Sequence, residues 1–174
     1  MTTPSTRSRA RRLAAALLTA LPAWPALADG VRLPAQVPPA YRSECGACHV
    51  AYPHGLLPAA SWQRLMGSLE RHYGTDASLD PATVRQLATW LQAHAGTGKR
   101  VGPEPPPQDR ITRSAWFERK HRQLDDAVWR LPSVKSAANC AACHGGAEQG
   151  RFDAHDLRMP AGLPARYHRA FLDD

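Results

Sequence analysis

Cys45-Gly46-Ala47-Cys48-His49 and Cys140-Ala141-Ala142-Cys143-His144 decide how this chain folds. They contain all four cysteines, and in each a histidine directly follows the second cysteine. Two thiols separated by two residues reach the two vinyl groups of one porphyrin, and the next residue places an imidazole under the iron. Disulfides would leave both histidines unexplained. Zinc ribbons pair Cys-x-x-Cys elements, but at far shorter separation than the 92 positions between Cys48 and Cys140. A thioredoxin-like redox pair needs strand-helix-strand surroundings, and no strand-like alternation occurs anywhere in the chain. Two covalently bound haem c groups are therefore expected. One is held by Cys45, Cys48 and the proximal ligand His49, the other by Cys140, Cys143 and the proximal ligand His144.

The N-terminus places these motifs outside the cytoplasm. Arg7, Arg9, Arg11 and Arg12 precede an apolar run from Leu13 to Leu21 and the triplet Ala26-Leu27-Ala28, which reads as a secretory signal over residues 1–28, cleaved before Asp29. The run is too short to cross a bilayer and is apolar on every side, unlike an amphipathic surface anchor. No later segment reaches the length of a membrane span, so the mature chain is expected to be soluble and periplasmic. Removal of residues 1–28 takes 4 of the 22 basic residues and no acid, leaving 18 against 15, a formal +3. Such a balance argues against nucleic-acid binding. The mature chain has few aromatic side chains and is rich in Pro and Gly, so its own apolar surface is small relative to its conformational entropy. A bound prosthetic group is expected to complete the core.

The predicted fold is mainly α, with helices and extensive irregular chain packed around two haems in two small lobes. Residues 29–95 form the expected N-terminal haem lobe, 96–110 a Pro-rich linker, and 111–174 the C-terminal lobe. Pro-rich chain extends to Ala40. A helix is expected from an N-cap at Ser61 to Tyr73, stopped by Gly74, and another from an Asp80 cap and Pro81 to Ala95. A third is expected over Ser114–Trp129, with a short helix at the second motif and irregular chain beyond Gly146.

Six further histidines compete for the face of each iron opposite the proximal ligand. His72 shares a helical face with Trp62, Leu65 and Leu69, and His121 shares one with Phe117, Leu124 and Val128. Inward-pointing imidazoles need their nitrogens satisfied, and an iron does this while fixing the tautomer. A core histidine bonded to a backbone carbonyl is the bland alternative. His72 and His121 are the favoured distal ligands. His94 is explained by a helix C-terminus, His54 would need a tight loop, and His155 and His168 lie in irregular chain. Met159, followed by Pro160, is the rival at the second haem and equally a gap-filling side chain.

These residues also carry a resemblance. Glu44-Cys45-Gly46-Ala47-Cys48-His49, Ala51-Tyr52-Pro53, Gly55-Leu56-Leu57-Pro58, Trp62 and His72-Tyr73-Gly74 resemble the bacterial dihaem cytochrome c family. So do Arg110-Ile111-Thr112, Trp116-Phe117, Arg119-Lys120-His121-Arg122, Ser136-Ala137-Ala138-Asn139-Cys140 and Ala147-Glu148-Gln149-Gly150. The resemblance implies a small two-lobed periplasmic cytochrome with two low-spin, bis-histidine haems, in which His72 and His121 occupy the distal positions. Its implied partners are a soluble monohaem cytochrome that binds small molecules such as oxygen, and a membrane b-type cytochrome upstream. The tail after Met159 departs from the family pattern.

Two irons closed on both faces by protein predict a monomeric electron carrier without catalytic residues. Arg119, Lys120 and Arg122, which flank His121, would pair with propionates, dock an acidic partner, or form a solvated face. The competing reading is a small dihaem peroxidase or reductase with one open iron position. A third is a docking subunit of a larger complex.

Overall fold

The protein is described by a computed structural model covering residue 33 and residues 36–172. The expected signal, residues 1–28, lies outside the described residues. Within them all regular structure is helical, and backbone pairing of the β type is limited to the isolated bridges His72–Thr75 and His144–Leu157. The mainly α architecture follows from the sequence: short apolar runs end at Gly or Pro before a strand or long helix can develop.

Five α-helices carry the fold: α1 (Pro39–Cys45), α2 (Ala59–Met66), α3 (Pro81–Ala93), α4 (Ala115–Lys120) and α5 (Asp126–Trp129). The Asp80 carboxylate caps α3, accepting from the N–H groups of Ala82 and Thr83 at 2.9 and 3.0 Å, and Pro81 occupies the first position. Leu87 and Leu91 of α3 are fully buried and pack with Tyr41 of α1, Leu57, and Trp62 and Met66 of α2. This is the larger core.

The structure departs from the expected helices at four places, the smallest being the end of α3 at Ala93 rather than Ala95. Pro39 stands at the first turn of α1, where its missing N–H costs nothing, so helix replaces part of the expected extended run. The helix expected from Ser61 to Tyr73 instead begins at Ala59 and stops at Met66. Ser68 then turns its hydroxyl onto the Arg64 carbonyl at 2.8 Å, satisfying the helix end, and a 3₁₀ turn over Leu69–Arg71 leads to His72. The helix expected over Ser114–Trp129 is broken into α4 and α5. Ser114, the expected start, caps α4, but Asp125 starts again as the cap of α5, accepting from Ala127 N at 2.9 Å.

Beyond Gly146 the chain is not without structure. Leu163 and Tyr167, the latter in a 3₁₀ turn over Ala165–Phe171, bury against Val128 to make a second core edged by Trp129 and Phe171. The Tyr167 hydroxyl donates to Asp125 at 2.6 Å, so the tail holds the start of α5.

Between the cores the Gly96–Asp109 segment is tied down tightly. A side chain at Gly96 would meet the Gly55 carbonyl at 2.2 Å, so only glycine lets the Gly96 N–H reach the Leu57 carbonyl at 2.8 Å. Gln108 and Asp109 both have positive φ, 57° and 54°, a cost of about 1–2 kcal/mol each for residues with a side chain. Three contacts offset it. Arg64 donates from Nη2 and Nε to the two Asp109 carboxylate oxygens at 2.6 and 2.8 Å, and the Tyr73 hydroxyl donates to the carbonyls of Gln108 and Asp109.

Two predictions follow from this packing. Leu87→Ala should lower the unfolding free energy by about 2–5 kcal/mol in a denaturant titration. Arg64 holds the Asp109 carboxyl below its ordinary value of 3.8, so its stabilisation is complete above that pH and is lost as pH falls through and below it. In an acid series of thermal unfolding curves, Asp109→Asn should therefore lose less Tm across that window than the parent chain.

Candidate haem sites

The first site is built on the end of α1. Cys45 is its last residue, and the Gly46 N–H closes the helix onto the Arg42 carbonyl at 3.1 Å, which leaves Cys48 and His49 in the turn that follows. The Cys45 thiol is pushed up to about 11, by burial first and by Glu44 second. His49 donates through Nδ1 to the Val50 carbonyl at 2.8 Å and stacks on Tyr52, with ring centres 4.5 Å apart. That bond fixes the tautomer and leaves Nε2 as an acceptor for a metal. The ring of His72 lies opposite, its centre 6.3 Å from that of His49.

The second site repeats the chemistry with different supports. Cys140 opens a 3₁₀ turn over Cys140–Ala142, and the Asn139 side chain anchors it by donating to the Val134 carbonyl at 2.9 Å. Burial pushes the Cys140 thiol up to about 11 and raises that of Cys143. None of the four cysteines is in a disulfide. His121 caps the end of α4 and donates through Nδ1 to the Phe117 carbonyl at 2.9 Å, with its ring flat against Phe117 at 4.0 Å. Its centre is 6.2 Å from that of His144.

Both spacings fit an iron between the rings. Metal–nitrogen bonds of about 2.0 Å on each side put two coaxial imidazole centres about 6.2 Å apart. Burial lowers the pKa of His72, His121 and His144, which keeps these rings in the neutral form a metal needs. His72 Nδ1 is buried without a hydrogen bond. His144 Nδ1 is buried and likewise lacks a bond of good geometry, although the Asp153 carbonyl polarises it and partly opposes the effect of burial.

The eight motif and distal residues line one continuous cavity of about 1220 Å³, more than the roughly 300–1,000 Å³ of a single-ligand pocket. Leu65, Leu69, Trp116 and Phe152 give it apolar walls, and Arg100, Arg110, Lys120 and Arg122 reach its rim. Two porphyrins with their acidic propionates suit such a lining. Tyr52 stands between the halves: its ring stacks on His49, and its hydroxyl donates to the Ala138 carbonyl at 2.7 Å, two residues before Cys140.

The other candidates are placed elsewhere. Among the described residues, His54 and His94 are absent from the cavity wall. They cluster with Trp90, and each turns its Nδ1 toward a backbone carbonyl, His54 to that of His94 and His94 to that of Trp90. Met159 is 41% exposed and also away from the wall. His168 is held by the Leu163 carbonyl, and His155 is exposed at the cavity edge. His72 faces the cavity by a route other than helical phase, because α2 has ended six residues earlier. The roles of Tyr52, Phe117 and Arg110 as supports were not read from the sequence. Arg110 lies over the Tyr73 ring at 4.1 Å and adds positive potential beside His72; the Arg110-Ile111-Thr112 stretch carried the resemblance but gave no sign of this contact.

Comparison with known proteins agrees with this geometry. The family model of dihaem cytochrome c matches residues 41–152. A dihaem cytochrome c from Rhodobacter sphaeroides is similar at 41% identity, with a TM-score of 0.60 over 68% of this chain and 98% of its own. The dihaem cytochrome c of Shewanella baltica OS155 is similar at 38% identity, with a TM-score of 0.60 over 71% of this chain and 93% of its own. Curated protein sequences returned no match. With two Cys-x-x-Cys-His motifs opening into one cavity and a family match spanning most of the described residues, the chain belongs to the dihaem cytochrome c family.

Proposed function

We propose that this chain is a periplasmic electron carrier in which His49 and His72 hold one iron and His144 and His121 the other. The observation that carries the reading is the pair of facing imidazoles at each motif, 6.3 and 6.2 Å between centres. Protein nitrogen on both sides of an iron leaves no position for a substrate, which favours outer-sphere transfer over peroxidase or reductase chemistry. Bound haem supplies one-electron oxidation and reduction, and the chain supplies everything that tunes it.

His49 and His121 keep their rings in place through the Val50 and Phe117 carbonyls, and their Nδ1–H bonds make each Nε2 a better donor. Trp62, Leu65, Trp116 and Trp129 keep water from the cavity wall. Arg100, Arg110, Lys120 and Arg122 are placed to neutralise propionates, whereas Arg119, the third basic residue beside His121, is absent from the cavity lining and bonds to the Ala115 carbonyl. Residues 29–95 and 111–174 act as two haem lobes joined by 96–110, a division supported by the two separate apolar cores.

The mature protein works as a monomer. It takes electrons from a membrane b-type cytochrome and passes them to a soluble haem protein such as an oxygen-binding monohaem cytochrome. The exported location rests on the residue 1–28 signal and on haem attachment through thioethers. No helix among the described residues is long and apolar enough to cross a membrane.

In the haem-loaded protein, His72→Ala and His121→Ala should each convert one of two low-spin optical and EPR signals to high spin and admit carbon monoxide at that site. Unchanged spectra in both variants would overturn the ligand assignment, and a high-spin, ligand-binding iron in the parent protein would favour an enzyme.

A further inference from the structure

The two histidine pairs differ in how their rings are turned. The planes of His49 and His72 lie 23° apart, whereas those of His121 and His144 lie 73° apart. Neighbouring groups fix these angles. His49 is sandwiched against Tyr52 at an interplanar angle of 18° and tethered to the Val50 carbonyl. His121 lies against the Phe117 ring at 21°, is tethered to the carbonyl of the same residue, and meets the Trp129 ring edge-on with centres 6.0 Å apart. His144 meets Phe152 at 57°. A flat contact on one face and a tether at one nitrogen leave an imidazole little freedom to rotate about the axis through its other nitrogen.

Ring orientation matters because an imidazole donates π density only into the metal d orbital that lies perpendicular to its plane. Two nearly parallel rings act on the same orbital and split the two d orbitals of π symmetry. Two crossed rings act on one orbital each and leave the pair close in energy. In a ferric low-spin ion, with five d electrons, that choice sets the g anisotropy. It also shifts the reduction potential that ligand identity and burial set, since the splitting stabilises the oxidised state.

Resting on the ligand reading above, we propose that the two haems are electronically distinct by construction. The His49–His72 site is the rhombic one. The His121–His144 site is the strongly anisotropic one, and Phe117 is the positioning residue that holds His121 across its partner. Phe117 is buried at 8% exposure and touches the ligand through its ring as well as its carbonyl. Its side chain therefore tunes a potential without touching iron.

EPR of the fully oxidised, haem-loaded protein at liquid-helium temperature tests this. Two unlike low-spin signals are expected, one rhombic and one with its principal feature displaced to lower field. Two superimposable rhombic signals would overturn the proposal. A high-spin signal would instead overturn the ligand assignment beneath it. Phe117→Leu keeps the carbonyl tether and most of the volume but removes the flat face. It should move the low-field feature toward the rhombic position and lower the midpoint potential of that haem in a dithionite titration, with the other signal unchanged. A correctly loaded variant whose low-field feature stays in place would remove Phe117 from the role. If the variant fails to mature, the parent spectrum still decides whether the two sites differ.

Discussion

The structure depends on a cavity that the polypeptide cannot fill by itself. A folded interior is packed like a molecular crystal, and apolar walls around an open space lose both dispersion contacts and the gain of leaving water. Here a space of about 1220 Å³ runs between the two small cores. Its apolar lining includes Trp62, Leu65, Leu69, Trp116, Phe152 and Leu157. The chain is thus organised around a space that two prosthetic groups would fill, and the free cysteines Cys45, Cys48, Cys140 and Cys143 in its wall are where thioether bonds would hold them and turn wall residues into core residues.

That constraint accounts for the brevity of the secondary structure. α2 stops at Gly67 and α4 at His121, each short of the helix expected, and the chain at or after each stop turns a histidine toward the cavity. The Ser68 hydroxyl and the turn over Leu69–Arg71 deliver His72, and the end of α4 delivers His121. The strained pair Gln108 and Asp109 belongs to the same arrangement. Arg64 and Tyr73 hold it in place, and the next residue, Arg110, comes to rest over Tyr73 beside His72. Backbone cost is accepted at positions that aim a side chain at the cavity.

Much of this was legible in the sequence because the decisive signals are local and chemical. Two Cys-x-x-Cys-His pentapeptides named the cofactor, Asp80-Pro81 marked a helix start, and the absence of alternation excluded sheets. Helix lengths were misread where capping competes with periodicity. Gly67 caps α2 and Ser68 bonds back to the Arg64 carbonyl, while Asp125 restarts the helix by accepting from Ala127, stops and starts that the apolar periodicity running through both stretches masked. The phase argument for His72 assumed a helix running to Tyr73, but the helix ends at Met66, and the residue reaches the cavity because a 3₁₀ turn follows. Contacts distant along the chain left no linear trace: Tyr52 to Ala138, Leu33 to Gly150, and the packing of Leu163 and Tyr167 on Val128.

Intact-mass spectrometry under denaturing conditions tests the central claim most directly, on protein exported and matured by a host with c-type haem attachment. Non-covalent groups are lost in that measurement, so the account predicts a polypeptide heavier by two iron porphyrins, with one porphyrin on each of the two cysteine-bearing proteolytic fragments. A bare polypeptide, or a single porphyrin with the other cysteine pair free, would contradict it.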